Sequence, residues 1–260
     1  METILDDYAH RNALREVDTR LKLSLGVGAI LIGVFSASPL APALIAVSMS
    51  LITVVLAKIP ARLYIGLLAI PVTFAVMSGV VILLVTGGGE TLYSFSLLGF
   101  PLSVTTGSIH QAELVIARTF GGMCSLYFIA LTTPMVELFS VMRSLRLPRE
   151  FVDLSMLIYR SIFVLIGEAI AIHNAQVMRN GYTTFRRKIY AFSMLSAMLF
   201  IKAWERGEAL LVAMDSRCYD GKLELPETEK RISWKGAGLV GTYLAVLLTV
   251  AVYSGGLAIL

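Results

Sequence analysis

Residues 23–57 read LSLGVGAILIGVFSASPLAPALIAVSMSLITVVLA, 35 residues without a charged side chain. A soluble domain carries roughly a quarter charged residues. This 260-residue chain has 15% charged and 57% hydrophobic residues, with a mean hydropathy of +0.77. The run is too long for one bilayer crossing and just long enough for two, since a crossing takes about 20 helical residues and about 17 can suffice. SASPLAP, at 36–42, interrupts it near the middle. The stretch therefore predicts two short membrane helices, over 21–38 and 40–57, joined by a tight proline turn.

Working outward, further apolar segments lie at 63–86, ended by Gly87-Gly88-Gly89, at 111–132 and at 236–260. The expected fold class is an all-α integral membrane protein with about five transmembrane helices. Residues 1–132 form an N-terminal region with four spans, 133–235 a helical insert, and 236–260 the last span. Between spans three and four, at 87–107, Tyr93, Phe95 and Leu97, then Phe100, Leu102 and Val104, alternate with smaller or polar residues around Leu98-Gly99. That alternation predicts a short hairpin at the membrane surface.

Basic residues set the orientation. With the N-terminus inside, segments 1–22, 58–62 and 133–235 hold four, two and fifteen Lys or Arg, and Arg118 lies within span four. The outer loops and the C-terminal tail hold none. Such asymmetry predicts a multi-pass plasma-membrane protein with its N-terminus and insert cytoplasmic and its C-terminus outside. The net charge of +4 is thus a topology signal. The expected surroundings are membrane lipid, with no nucleic acid. The first 20 residues are mixed in charge and end in no A-x-A-like site, so no removed signal peptide is expected.

The insert reads as amphipathic helices punctuated by Pro134 and Pro148. TPMVELFSVMRSLRLP spaces Met135, Leu138, Phe139, Met142 and Leu145 for one apolar face, with Arg143, Arg146 and Arg149 clustered toward its end. A long helix from about Arg149 to Arg179 carries Asp153, Arg160, Glu168 and His173 among apolar residues. It is placed at the inner surface, because a span there would flip the last segment. Ile189 to Ile201, only 13 residues between Lys188 and Lys202, is too short to cross and continues as KAWERGEALLVAMDSR. Two helices then end alike, in AQVMRNGY (175–182) and AMDSRCYDG (213–221). Each has an arginine shortly before a glycine, and glycine stops helices by turning left-handed. Arg179 and Arg217 are therefore expected at exposed helix tips. One reading is plain stabilisation of the helix dipole. The other is docking, since a planar five-donor guanidinium suits an acidic or carbonyl-lined groove on a partner.

Catalytic signatures are missing. No G-x-x-x-x-G-K-[ST] occurs, so no P-loop is expected. His10, His110 and His173 are isolated, and Cys124 and Cys218 have no metal or redox spacing. The spans carry no midplane acid of the kind ion-coupled carriers keep, which disfavours a stand-alone carrier. Arg118 is read as snorkelling outward or pairing with Glu113. A membrane-embedded lipid-precursor transferase, with Asp215, Asp220 and Arg217 holding a divalent cation and phosphate, lacks the carboxylates of a two-metal site. Neither a cofactor nor a metal is expected on this chain.

Four segments together resemble one family. They are DDYAHRNALREVDTRLKL (6–23), TTPMVELFSVMRSLRLP (132–148), YRS (159–161), and the two arginine tips. The chain resembles the transmembrane coupling subunit, or T component, of energy-coupling-factor (ECF) transporters, the CbiQ/EcfT family, and most of all the cobalt-transport CbiQ type. The resemblance implies a non-catalytic subunit that carries ATP-driven motion to a substrate-binding S component, which topples to release its cargo. Implied partners are two ATP-binding cassette ATPases, which would hold the ATP and Mg, and a CbiM-like S component with a small CbiN-like subunit. The implied cargo is cobalt, with another metal or a vitamin as the alternative. Arg179 and Arg217 would be the ATPase-docking residues, flanked by Met178, Asn180, Ser216 and Cys218. The apolar faces of the insert would grip the S component. The family's second tip usually reads Ala-Arg-Gly, so Ser216 and Cys218 depart from it.

Overall fold

The computed structural model describes residues 8–9, 12–85, 88, 91–97, 100–145, 147–219 and 233–255. His10, Gly87, Gly89, Leu98, Gly99, Arg146, Asp220, Gly221 and the start of the 6–23 segment, all invoked above, lie outside the described residues. The chain divides into two compact units, residues 1–138 with 228–260, and residues 139–227.

Unit one is built around a central helix. Its elements are α1 (Thr19–Phe35), α2 (Leu40–Leu51), α3 (Ala61–Val85), strands β1 (Thr91–Leu97) and β2 (Phe100–Thr105), α4 (Thr106–Thr132) and α8 (Trp234–Gly255). Asp18 starts α1 by accepting the Arg20 amide at 2.8 Å, as an N-cap aspartate should. The proline turn ends α1 at Ser36 and begins α2 at Pro39. α2 runs on into a wide π turn, Ile52–Leu56, and Lys58 then takes a left-handed φ of 55°. β1 and β2 pair antiparallel, Leu97 opposite Phe100, with a bulge between Thr91 and Tyr93. Thr105 leads directly into α4 through a reciprocal capping box with Ser108.

α4 packs on α1, α2 and α3, and α8 closes against α1 and α2. Leu25, Ala29, Ile45, Met49, Cys124, Phe128 and Leu247 form the main core cluster. Lipid gives helices no hydrophobic reason to associate, so close backbone approach carries the packing. Gly121 supplies it. A Cβ there would sit 2.8 Å from the Pro42 carbonyl oxygen. Pro71 interrupts α3 and leaves the Leu67 carbonyl without its helical donor. Tyr127 Oη of α4 donates to that carbonyl at 3.0 Å, which removes the cost of an unpaired polar group in lipid.

Unit two contains α6 (Arg149–Met178) and α7 (Phe185–Asp215), and α5 (Met135–Ser144) carries the chain into it. Residues 189–201, too short to span alone, are part of one 31-residue helix. Among the described residues four helices are long and apolar enough to cross a membrane, namely α3, α4, α6 and α8. α1, and α2 taken with its π turn, are 17 residues each. The chain is a multi-pass, all-α membrane protein.

Candidate functional site

Both helices of unit two end in the same backbone motif. At the end of α6 the Asn180 amide donates to Val177 (3.0 Å) and the Gly181 amide to Gln176 (2.9 Å). At the end of α7 the Cys218 amide donates to Asp215 (3.0 Å) and the Tyr219 amide to Met214 (3.1 Å). These paired 5→2 and 6→1 bonds define a Schellman motif. Arg179 and Arg217 thus occupy one equivalent position, the last residue before the chain turns left-handed. Both arginines are exposed, as are Met178, Asn180, Ser216 and Cys218.

The glycine expectation is corrected here. Asn180 (φ 57°) and Cys218 (φ 58°) make the left-handed turn, and Gly181 does not. The 6→1 bond needs the left-handed residue directly after the cap, and Gly181 does not stand there. Gly181 serves the next position, where a Cβ would lie 3.0 Å from the Gln176 carbonyl oxygen. Asparagine adopts this region readily, whereas cysteine gives up about 1–2 kcal/mol.

The first tip is braced from behind. Tyr182 Oη donates to Gln176 Oε1 at 2.7 Å, and Gln176 Nε2 donates to the Ala191 carbonyl of α7 at 2.9 Å. His173 Nδ1 lies 3.0 Å from the same Tyr182 hydroxyl, and their rings are 4.8 Å apart. Lys202 and Glu168 pair between α7 and α6. Near the start of α6, Arg143 Nη2 meets Asp153 Oδ1 at 3.0 Å, and Tyr159 packs edge-on against Phe139 and Phe163. Asp215 is an exposed residue whose backbone, not its carboxylate, closes the second tip. Among the described residues no three His, Cys, Asp or Glu converge as a metal site would need.

A second constellation was not recognised from sequence as a unit. It gathers Asn12, Asp18, Thr19 and Lys22 against Thr132, Thr133 and Glu137, and Asn12, Asp18, Thr19, Lys22, Thr132 and Thr133 are all buried. The last carbonyls of α4 lack intrahelical donors. Asn12 Nδ2 reaches Leu131 O (3.4 Å) and Thr132 O (3.2 Å), and Lys22 Nζ reaches Thr132 O at 3.0 Å. Thr19 Oγ1 donates to the Glu137 carboxylate. The only hint in sequence is that these residues fall in the 6–23 and 132–148 segments that carry the family resemblance. Arg118 is also reassigned. Its Nη2 and Nε donate to the Ser36 carbonyl at 2.7 and 3.3 Å, capping the buried end of α1 rather than pairing with Glu113.

The profile of the CbiQ family, described as cobalt transport protein, matches residues 10–228. The chain belongs to the CbiQ family. A chain of Methanocorpusculum labreanum named as a fused cobalt transport protein CbiMQ is 53% identical over 247 residues, 95% of this chain and 41% of the relative. The chain thus spans about two-fifths of that fused relative. Cobalt transport protein CbiQ of Rhodobacter capsulatus is 28% identical over 248 residues, covering 95% of this chain and 97% of the relative. The energy-coupling factor transporter transmembrane protein EcfT of Limosilactobacillus fermentum is 26% identical, covering 92% and 91%. CbiQ membership places the chain among the T components of ECF transporters, as a transmembrane component of such a transporter.

Proposed function

We propose that this chain is the non-catalytic coupling subunit of an ECF-type importer of cobalt ions, docking two ATP-binding cassette ATPases through Arg179 and Arg217. The observation that carries this reading is the shared tip geometry. Two like ATPase subunits present two like grooves, and two arginines held in one backbone conformation can enter both in the same way. A guanidinium at a helix C-terminus also fits a carbonyl- or carboxylate-lined groove, because its five donors are fixed in one plane. Exposure of both tips supports docking over plain dipole compensation. ATP and Mg then belong to the partner subunits.

The partner within the membrane is a CbiM-type S component, with a small CbiN-like subunit. The name of the fused relative, CbiMQ, supports a CbiM partner. The Lys/Arg asymmetry supports an inside N-terminus and insert, with the C-terminus outside; on that reading α6, although long and apolar enough to cross a membrane, lies with α7 on the ATPase side. Apolar faces of both helices, including Phe151, Leu154 and Ile158 on α6 and Phe192 and Phe200 on α7, are available to the S component.

The double variant Arg179→Glu and Arg217→Glu should insert normally but lose the ATPase subunits on affinity purification from detergent. Full retention of the ATPases would overturn the docking reading. Uptake of radiolabelled cobalt, competed separately by nickel, tests the cargo. A transporter that never accumulates cobalt would shift it to another metal or a vitamin.

A further inference from the structure

We propose that Thr19 and Lys22 of α1 clamp both sides of the break at Thr133-Pro134, making them positioning residues for force transfer from the insert to the membrane helices. This rests on the coupling role proposed above.

The break is a natural hinge. α4 ends at Thr132, Thr133 is extended (φ −120°, ψ 110°), and α5 begins at Met135. Pro134 has no amide hydrogen, so no helical bond can run through it. A corner of this kind, left to itself, would let α5 swing without moving α4. α1 prevents that from one turn of helix. Lys22 holds the α4 side through Thr132 O, and Thr19 holds the α5 side through Glu137. Thr19 and Lys22 are three residues apart and therefore share a face of α1. Asn12 adds two further bonds to the α4 side.

Burial makes the clamp stiff. Thr19 is 5% and Lys22 3% exposed, so the Lys22 bond is shut off from water and the Thr19 bond is partly so. The Thr19 bond ends on a carboxylate, which makes it charge-assisted and stronger than a neutral pair. Glu137 also lies in the first turn of α5, where the helix dipole favours an anion. The first segment of unit one ends at Leu138, one residue beyond Glu137. The Thr19–Glu137 bond thus ties α1 to α5 just before the chain passes into unit two. A load applied to the insert reaches α1 and α4 together through this point.

The test measures the coupling ratio, cobalt imported per ATP hydrolysed, in the complete transporter reconstituted in liposomes. Thr19→Val keeps the side-chain shape but removes the donor, and should lower the ratio by about fivefold or more, the lower range of ordinary coupling between sites. Thr19→Ser, which keeps the hydroxyl, should restore most of it. Glu137→Gln should lower the ratio less, and Thr19→Val with Glu137→Gln together should be no worse than Thr19→Val alone. A merely structural loss would reduce assembled complex, ATP hydrolysis and uptake in step and leave the ratio unchanged. An unchanged ratio in both Thr19→Val and Glu137→Gln overturns the clamp. Arg179→Glu/Arg217→Glu run in parallel separates the two ideas. If that variant keeps its ATPases, the docking reading fails, and the clamp is still decided by the Thr19→Val ratio. If it loses them while Thr19→Val keeps its ratio, only the clamp fails.

Discussion

The contact between Gly121 and Pro42 allows a comparison between two adjacent glycines. Gly121→Ala adds a Cβ 2.8 Å from the Pro42 carbonyl oxygen and 3.4 Å from its carbonyl carbon and Cα. Ordinary contact begins near 3.4 Å, so α2 and α4 must separate by about half an ångström. The obstacle is backbone, which cannot rotate aside. Overpacking of this kind costs about 1–3 kcal/mol. Gly122→Ala meets nothing within 4 Å, and both variants gain the same helix propensity of about 1 kcal/mol. Propensity therefore cancels in the comparison. At about 2–4 °C per kcal/mol for a chain of this size, Gly121→Ala should melt roughly 2–12 °C below Gly122→Ala. Cys124 is 2% exposed and Cys218 is open to solvent. After Cys218 is blocked, a thiol-reactive dye reports unfolding through Cys124 in a single detergent. Equal melting points, or a lower one for Gly122→Ala, would refute close α2–α4 packing at this glycine.

Three more outcomes follow from backbone groups rather than from packing. Asn180→Val should cost about 1–2 kcal/mol at the first tip, because a β-branched residue cannot take φ 57° cheaply, while Cys218→Gly should stabilise the second by a similar amount. Hydrogen exchange at the Gly181 and Tyr219 amides reads both, faster in the former and slower in the latter. Tyr127→Phe should destabilise unit one by about 0.6–2 kcal/mol, since the Leu67 carbonyl beside Pro71 loses its donor, seen as an earlier melt in the same thiol assay.

What the sequence made legible follows from range. The charge-free run and its SASPLAP break are local features, and the α1–α2 turn lies where proline forces it. The arginine tips were visible as a repeated phrase, yet their left-handed residues were misassigned. Glycine is the cheapest left-handed residue, but the hydrogen-bond spacing decides, and it selects Asn180 and Cys218. The π turn at Ile52–Leu56 leaves no trace in a run of Ile, Thr, Val and Leu. Arg118 was visible as a deep cation, but its partner is a backbone carbonyl 82 residues away, and carbonyls carry no sequence signal. Asn12 and Thr132 stand 120 positions apart, and no periodicity links them.

The two arginine tips sit at opposite ends of α7. The first turn leads straight into Phe185, and the second follows Asp215, so a single helix of 31 residues, roughly 46 Å at 1.5 Å per residue, measures the interval between them. α7 is in this sense a ruler. Lengthening it by four residues would carry Arg217 about 6 Å farther out and swing it about 40° around the axis, with every side chain at both tips unchanged. On the proposed docking reading, the spacing of two ATPase grooves is matched by a residue count, not by any residue's identity.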